Sequence, residues 1–377
     1  MTIPPVVVVG SGFFGLTIAE RIAEELGLEV LVVERRSHIG GNANSRINSE
    51  TGIEYHEYGS HLFHTSNVKV WEYVNRFAQF SDYRHTVWTK HNKEIYSLPF
   101  NLSTINHFFR QSFSPDEARA FIRNQASEVT NPLNFEDKAI SLVGVDLYEA
   151  FIKGYTQKQW QTDPKLLDAN IISRIPVRFD YNNRYFSDTW EGLPLNGYSD
   201  LFQKMIQNSK IKIDINIDFK TVKEKIPNTS LIIYSGALDE YYNYVYGMLK
   251  WRTIDFDYEI IDTNDFQGTS VMNYADLNVN FTRIHEFKHL HPERNYKTNK
   301  TLIAKEFSRF ATPEDEPYYP VNTVSDRETL LKYRELSLKD RNIIFGGRLG
   351  SYQYLDMHMA IASAMNVYEN QILPRFK

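Results

Sequence analysis

The hexad Gly10-Ser11-Gly12-Phe13-Phe14-Gly15 constrains this chain more than any other feature. It follows Val6–Val9, a continuous apolar run of the kind a parallel strand needs when both its faces are buried. Beyond it, Ile18, Ile22 and Leu26 recur at four-residue spacing, the stripe of an amphipathic helix. In such a strand–loop–helix unit Gly10 permits a tight turn, and Gly12 lets the backbone approach a pyrophosphate. Gly15 lets the helix pack closely on the strand. The helix N-terminus offers amide donors and a positive dipole end to the phosphates. Glu29–Glu34 reads as a second strand, and Glu34 at its end can bind the hydroxyls of an adenosine ribose. The expectation is a dinucleotide site, with a purely structural turn as the alternative.

Two further glycine pairs narrow the choice. Gly40-Gly41-Asn42 lies just past the acidic strand, where a backbone that passes close to an extended cofactor favours FAD over NAD; the alternative is an ordinary turn. Phe345-Gly346-Gly347-Arg348 repeats the theme after a late strand, Ile343–Phe345. A helix from about Asp356 to Gln371 follows and can aim its dipole at the electron-rich end of an isoalloxazine.

At 377 residues the chain is too long for one simple core. Residues 67–160 read as mostly helical, with stripes at Val70, Tyr73, Val74 and Phe77 and at Leu147, Phe151 and Tyr155. Ser114-Pro115-Asp116-Glu117 carries a cap, a first-turn proline and acids that complement the dipole. Strands are expected at Ile211–Ile215, Leu231–Tyr234, Trp251–Tyr258 and Thr301–Phe307. The fold class is therefore mixed α/β: a Rossmann-like, FAD-binding domain with an inserted helical bundle and an antiparallel-sheet substrate domain. The expected division is 1–66, 194–245 and 315–377 for the FAD-binding domain and 67–160 for the helical domain. Residues 161–193 and 246–314 are expected to form a mobile lid and the antiparallel-sheet substrate domain, the lid being what the family resemblance set out below implies.

Composition excludes several function classes. With no cysteine there are no disulfides, thiolate nucleophiles or cysteine metal sites. A net charge of −5 argues against general nucleic-acid binding, so an anionic substrate must meet local cations. No uncharged apolar run approaches the roughly 18–20 residues of a membrane span, and Val6–Val9 lacks the basic leader of a signal peptide. The cytoplasm is the expected address. His56, His61 and His64 are close in sequence, but Tyr58-Gly59-Ser60 disfavours a helix that would align them, and no metal site is expected.

At this point the chain resembles the bacterial UDP-galactopyranose mutases along nearly its whole length. The resemblance rests on the hexad with Glu34, on Gly40-Gly41-Asn42, and on Tyr58-Gly59-Ser60-His61-Leu62-Phe63-His64-Thr65. It continues through Ser97-Leu98-Pro99, Gly154-Tyr155-Thr156-Gln157-Lys158-Gln159-Trp160 and Pro194-Leu195-Asn196-Gly197-Tyr198. Asn273-Tyr274, Thr282-Arg283-Ile284-His285-Glu286, Tyr318-Tyr319-Pro320 and Gly347-Arg348-Leu349 complete it. It implies interconversion of UDP-galactopyranose and UDP-galactofuranose, with no net redox change, by reduced FAD that NAD(P)H or another reductant only primes. The mechanism attributed to the family has flavin N5 attack the anomeric carbon as UDP leaves.

The resemblance also implies residue roles. Arg174 and Arg283 would meet the diphosphate, with Tyr185, Tyr319 and Tyr354 as hydroxyl donors, and His61 would stand beside the flavin. Phe151 and Tyr155 would stack on uracil; Trp160, His85 and Asn273 would line the substrate site. Gly10, Gly12, Phe13, Gly15, Glu34, Arg35, Gly41, Asn42, Arg348, Tyr354, Asp356 and Met357 would hold the cofactor with His61. A homodimer and a part in cell-surface polysaccharide synthesis come with the family. Ser60 adjoins the sugar site and leaves UDP-N-acetylgalactosamine open as a further substrate. Read without the family, a lone arginine is a solvated cation and the Phe151–Tyr155–Trp160 set a core stripe. The rival functions are an FAD oxidoreductase of the amine-oxidase-like type and a nucleotide-sugar-binding protein without catalysis.

Overall fold

Buried apolar runs organise the centre of the molecule in the computed structural model, which describes residues 4–126, 129, 131–172 and 177–377. Five strands form an all-parallel sheet in the order Ile343–Phe345, Leu231–Tyr234, Val6–Val9, Val30–Val33 and Ile211–Asp214. Every residue of Val6–Val9 is buried, because both faces of the sheet are covered. On one face Val6 and Val8 pack with Leu16 and Ile18 of the helix Phe13–Arg21 and with Ile361 and Ala364 of the helix Met357–Val367. On the other, Val7, Val9 and Val33 pack with Phe219 and Tyr234. Both helices begin beyond the carboxyl ends of strands, which is where open α/β sheets bind ligands.

A seven-stranded sheet stands beside this layer. Its order is Tyr319–Pro320, Trp251–Ile261, Thr301–Phe310, Arg283–Glu286, Val271–Tyr274, Val87–His91 and Glu94–Leu98. The pairing of Trp251–Ile261 with Thr301–Phe310 extends from Arg252 opposite Phe310 to Ile261 opposite Thr301, so both strands outrun their expected ends. A third core belongs to the helices Leu102–Phe109, Pro115–Gln125 and Phe135–Val143 and the helical run to Trp160, around Ile105, Ile122, Phe135 and Tyr148. Ser114 and Glu117 form the capping box that starts Pro115–Gln125.

The stretch 67–160 is less uniformly helical than its stripes suggest. Val87–His91 and Glu94–Leu98 form a hairpin, and Val87–His91 lies parallel to Val271–Tyr274. Its partner strand is remote in sequence, and local periodicity carries no signal for such pairing. The helix Val68–Asn75 sends Val70, Tyr73 and Val74 into the core of the parallel sheet rather than into the helical core.

Candidate active site

The glycine loops line one long cleft at the carboxyl ends of the parallel strands, with about 1720 Å³ of empty space including its open mouth. Gly10, Gly12, Phe13, Glu34, Arg35, Gly41, Asn42, His61, Arg348 and Met357 all face it. Gly10 is at φ +94°, and a Cβ there would stand 2.2 Å from Ser235 Oγ. A Cβ on Gly12 would meet nothing within 4 Å, so the space above it is open to a ligand. Gly15 serves packing instead: its Cβ would stand 2.0 Å from the Gly10 carbonyl oxygen. Gly346 also differs from expectation, because the group that approaches it is the ring of Phe14, 2.1 Å from a Cβ there.

At the far end of the cleft Glu34 accepts from the Ser11 amide at 2.9 Å and the Ser11 hydroxyl at 2.7 Å. Arg35 and Arg36 both pair with Glu316, at 2.6 and 2.8 Å, and Arg36 also donates to Asn42 at 2.8 Å. At the near end the Tyr319 and Tyr354 rings stack with centroids 5.6 Å apart, and Arg348 lies over both. Asp356 is the N-cap residue of Met357–Val367.

His61 projects from a turn in which Gly59 takes φ +86° beneath the ring of Phe256. The His61 amide donates to His56 Nδ1 at 2.9 Å, and its own Nδ1 donates to the Gly59 carbonyl at 2.7 Å. Burial pushes its pKa down to about 4, against the Gly59 bond, so the ring is neutral with its lone pair on Nε2. His56, His61 and His64 do not form one cluster: His56 groups with Glu54 and His291, His64 with Asp356 and His358.

Arg283 lies at the centre of the large sheet, opposite Asn273 on one neighbouring strand and Glu306 on the other. Its guanidinium pairs with Glu306 at 3.3 Å and donates to the Tyr155 hydroxyl. Burial, the largest single influence, would lower its pKa, but Glu306 together with Tyr155, Tyr185 and Tyr319 raises it. Burial likewise pushes Glu306 up, and Arg283 with the bonds from His285 and Thr282 holds it down at about 2. Tyr155 is pushed up to about 12 by burial and stays a neutral phenol. Tyr185 sits edge-on to the buried His85 ring at 5.4 Å, and its amide donates to the His85 carbonyl. Burial, then Arg283, lowers His85 to about 3.

Residues 150–354 match the UDP-galactopyranose mutase family, and residues 8–77 match an NAD(P)-binding Rossmann-like domain. A probable UDP-galactopyranose mutase of Klebsiella pneumoniae is 41% identical over 96% of this chain and 92% of its own length. The chain belongs to the UDP-galactopyranose mutase family. A dTDP-fucopyranose mutase of Escherichia coli is 40% identical over 96% of both chains. The fold matches a crystal structure of reduced UDP-galactopyranose mutase with a TM-score of 0.72, 15% identity, and coverage of 98% of this chain and 94% of that one.

The residues expected on the substrate divide. Arg283, Tyr155 and Asn273 come together, while Trp160 ends the helix Gly154–Trp160 partly buried. Phe151 instead joins Tyr96, Phe108 and His91 in an aromatic cluster of the helical core. The π-type turn Tyr148–Lys153 precedes Gly154–Trp160 and breaks the α-helical spacing that would put Phe151 on the face of Tyr155. Arg174 lies outside the described residues. Sequence reasoning missed Arg36, Glu306 and His285 as parts of the site. His285 was within reach, because strand alternation puts it on the same face as Arg283.

Proposed function

We propose that this protein is a nucleotide-sugar mutase, an isomerase that interconverts UDP-galactopyranose and UDP-galactofuranose with FAD in its reduced state. The observation that carries the reading is Arg283. It is a cation fixed between Glu306 and Tyr155, close enough to Tyr185 and Tyr319 for them to act on its charge. An amine-oxidase-like oxidation leaves such a cation idle; a departing diphosphate does not, because it gains negative charge as the glycosidic bond breaks.

The residues fit FAD. The open space over Gly12 and the N-terminus of Phe13–Arg21 suit the pyrophosphate, Glu34 suits the ribose, and Arg348 and Met357 border the flavin end. When bound, reduced flavin supplies a nucleophilic nitrogen for the anomeric carbon and takes no net electrons from the sugar. Arg283 then stabilises the leaving diphosphate, with Arg174 as the second cation that the resemblance implies. Tyr155, Tyr319 and Tyr354 keep their protons, since burial raises all three, and so act as donors to anionic oxygens. His61 offers an unprotonated Nε2 to the cleft. Closure of 161–193 as a lid would exclude water from the reacting sugar.

Incubation of the dithionite-reduced protein with UDP-galactofuranose, followed by chromatography, should yield UDP-galactopyranose without further consumption of reductant. A fully flavinated, reduced sample that converts nothing sinks the reading, and consumption of reductant in proportion to product favours the oxidoreductase. The 40% identical dTDP-fucopyranose mutase supports a second reading, in which the base is thymine and the sugar 6-deoxygenated. The same assay with dTDP-fucopyranose, and with UDP-N-acetylgalactosamine because of Ser60, ranks the three by kcat/KM. The homodimer, the cytoplasmic address and the expected three-part domain division belong to the same proposal. Light scattering of the holoprotein tests the first.

A further inference from the structure

Behind Arg283 runs a chain of buried polar groups that the reaction outlined above does not itself use. One oxygen of Glu306, Oε1, faces Arg283 Nε at 3.3 Å and accepts from the Thr282 hydroxyl at 3.1 Å. The other, Oε2, bonds His285 Nε2 at 3.0 Å. The second nitrogen of that ring, Nδ1, meets Ser60 Oγ at 2.8 Å. Ser60 is the residue before His61, in the turn beneath Phe256. Glu306 and His285 are both buried, so little solvent intervenes along this path.

The protons on the chain are determined by its ends. Glu306 is ionised and only accepts, so His285 Nε2 carries the hydrogen. Burial lowers the His285 pKa against the pull of Glu306; the ring is neutral and its Nδ1 is a lone pair. The Ser60 hydroxyl must therefore donate. At the other end the Arg283 Nε–H has no aligned hydrogen-bond partner, although the Glu306 charge lies at 3.3 Å. Toward Glu306 the guanidinium is held by charge and not by a directed bond, its directed bond running to the Tyr155 hydroxyl. An arriving diphosphate can turn it while sacrificing little, and the carboxylate that loses its partner shifts its weight onto His285.

We propose that Glu306 is a positioning residue that couples the anion site at Arg283 to the cofactor side of the pocket through His285, Ser60 and the His61 turn. The inference rests on the reading above, in which Arg283 meets a diphosphate and His61 stands beside the flavin. Coupling of this kind is reciprocal: the factor by which flavin reduction changes UDP affinity is the factor by which UDP changes the reduction equilibrium. The Ser60 hydroxyl is the link that can be cut with least disturbance to UDP binding, since it is one atom and adjoins the sugar site, which UDP leaves empty.

The test uses UDP as probe and the full-length holoprotein, titrated once oxidised and once after dithionite reduction. In the wild type the two dissociation constants should differ by about fivefold or more. Saturating UDP should then move the two-electron flavin potential by about 20 mV or more, at roughly 30 mV per tenfold. Ser60→Ala should bring the ratio of the two constants within twofold of unity while leaving the oxidised constant within twofold of wild type. His285→Phe, which cuts the chain at the ring, should also bring the ratio within twofold of unity, whatever it does to either constant alone. A general loss of stability would weaken both states alike and leave the ratio unmoved. If Ser60→Ala and His285→Phe both keep the wild-type ratio, or if a wild type that turns over normally has a ratio of one, the coupling is overturned. If the wild type binds no UDP in either state, the anion site itself is misassigned and the proposed function falls with it.

Discussion

Gly12 and Gly15 belong to one motif and do different work. Gly12 has an extended-side φ of −71° and open space where a side chain would go, whereas a methyl on Gly15 would collide with the Gly10 carbonyl oxygen. Gly12→Ala should therefore keep the fold within about 1 kcal/mol while binding flavin at least tenfold more weakly. Gly15→Ala should lose on the order of 3 kcal/mol of stability whether or not flavin is present. Equal losses of stability in urea titrations of the two apoproteins would contradict this division. At Arg283 the informative change is to lysine, because alanine would leave Glu306 as an unpaired buried carboxylate. Arg283→Lys keeps the charge and removes the planar fork, so kcat should fall about tenfold or more with the flavin spectrum unchanged. A variant with wild-type kcat would free Arg283 of any role at the diphosphate. Residues of this kind were legible because their chemistry is local. A glycine loop needs only its neighbours in sequence, and Glu34 needs only to end a strand. Glu306 was not legible as part of the site, and the role of His285 beside it was not either, since the two meet only when Thr301–Phe310 and Arg283–Glu286 pair; alternation could show only that His285 shares a face with Arg283.

Among the elements, the parallel strands were readable because two-sided burial writes itself as an unbroken apolar run. Val6–Val9 and Leu231–Tyr234 are of this type, and both are buried throughout. The hairpin 87–98 was hidden for a related reason. Its strands are half-buried, and its turn residues Asn92 and Lys93 both adopt positive φ, +48° and +68°, without the glycine that usually marks such a turn. The lysine bears a left-handed conformation that L-residues avoid by roughly 1–2 kcal/mol. Lys93 is exposed, so its substitution reports on that backbone alone. Lys93→Val should lower stability by about 1 kcal/mol, because a branched Cβ tolerates positive φ poorly. Lys93→Gly should equal or exceed the wild type, since it relieves the same strain. Thermal denaturation of the three proteins side by side would decide, and a Val variant as stable as the Gly variant would mean that the turn is not left-handed.

Across the whole molecule, the separated stretches that build the parallel sheet could be anticipated from the recurring strand-then-glycine theme, but the collection of histidines could not. His56, His61, His85, His285, His291 and His358 all have lowered pKa values, each chiefly through burial, with His61 at about 4 and His85 at about 3. His289 is the opposite case, raised by its bond to Glu286. A buried neutral imidazole binds no proton at a pH where the unfolded chain, titrating near the ordinary 6.5, already does. The unfolded state then holds more protons, so stability rises with pH between about 4 and 6.5 and is lost on acidification through that window. Each such group adds a slope of about 1.4 kcal/mol per pH unit. Glu306, held at about 2 against an ordinary 4.5, contributes stability above 4.5 that disappears in a lower window as pH falls toward 2. Urea unfolding of the apoprotein at pH 7, 6 and 5 should show a steep decline, and His85→Asn should lessen the slope by about 1.4 kcal/mol per pH unit. Identical slopes for variant and wild type would place a charged His85 in the folded protein. The arrangement also serves the site. Burial, with a smaller push from Arg283, depresses His85 and His285, so the guanidinium is a positive charge set among neutral donors and acceptors. A pocket so built concentrates its attraction on one anionic group and leaves the surrounding imidazoles free to orient hydroxyls.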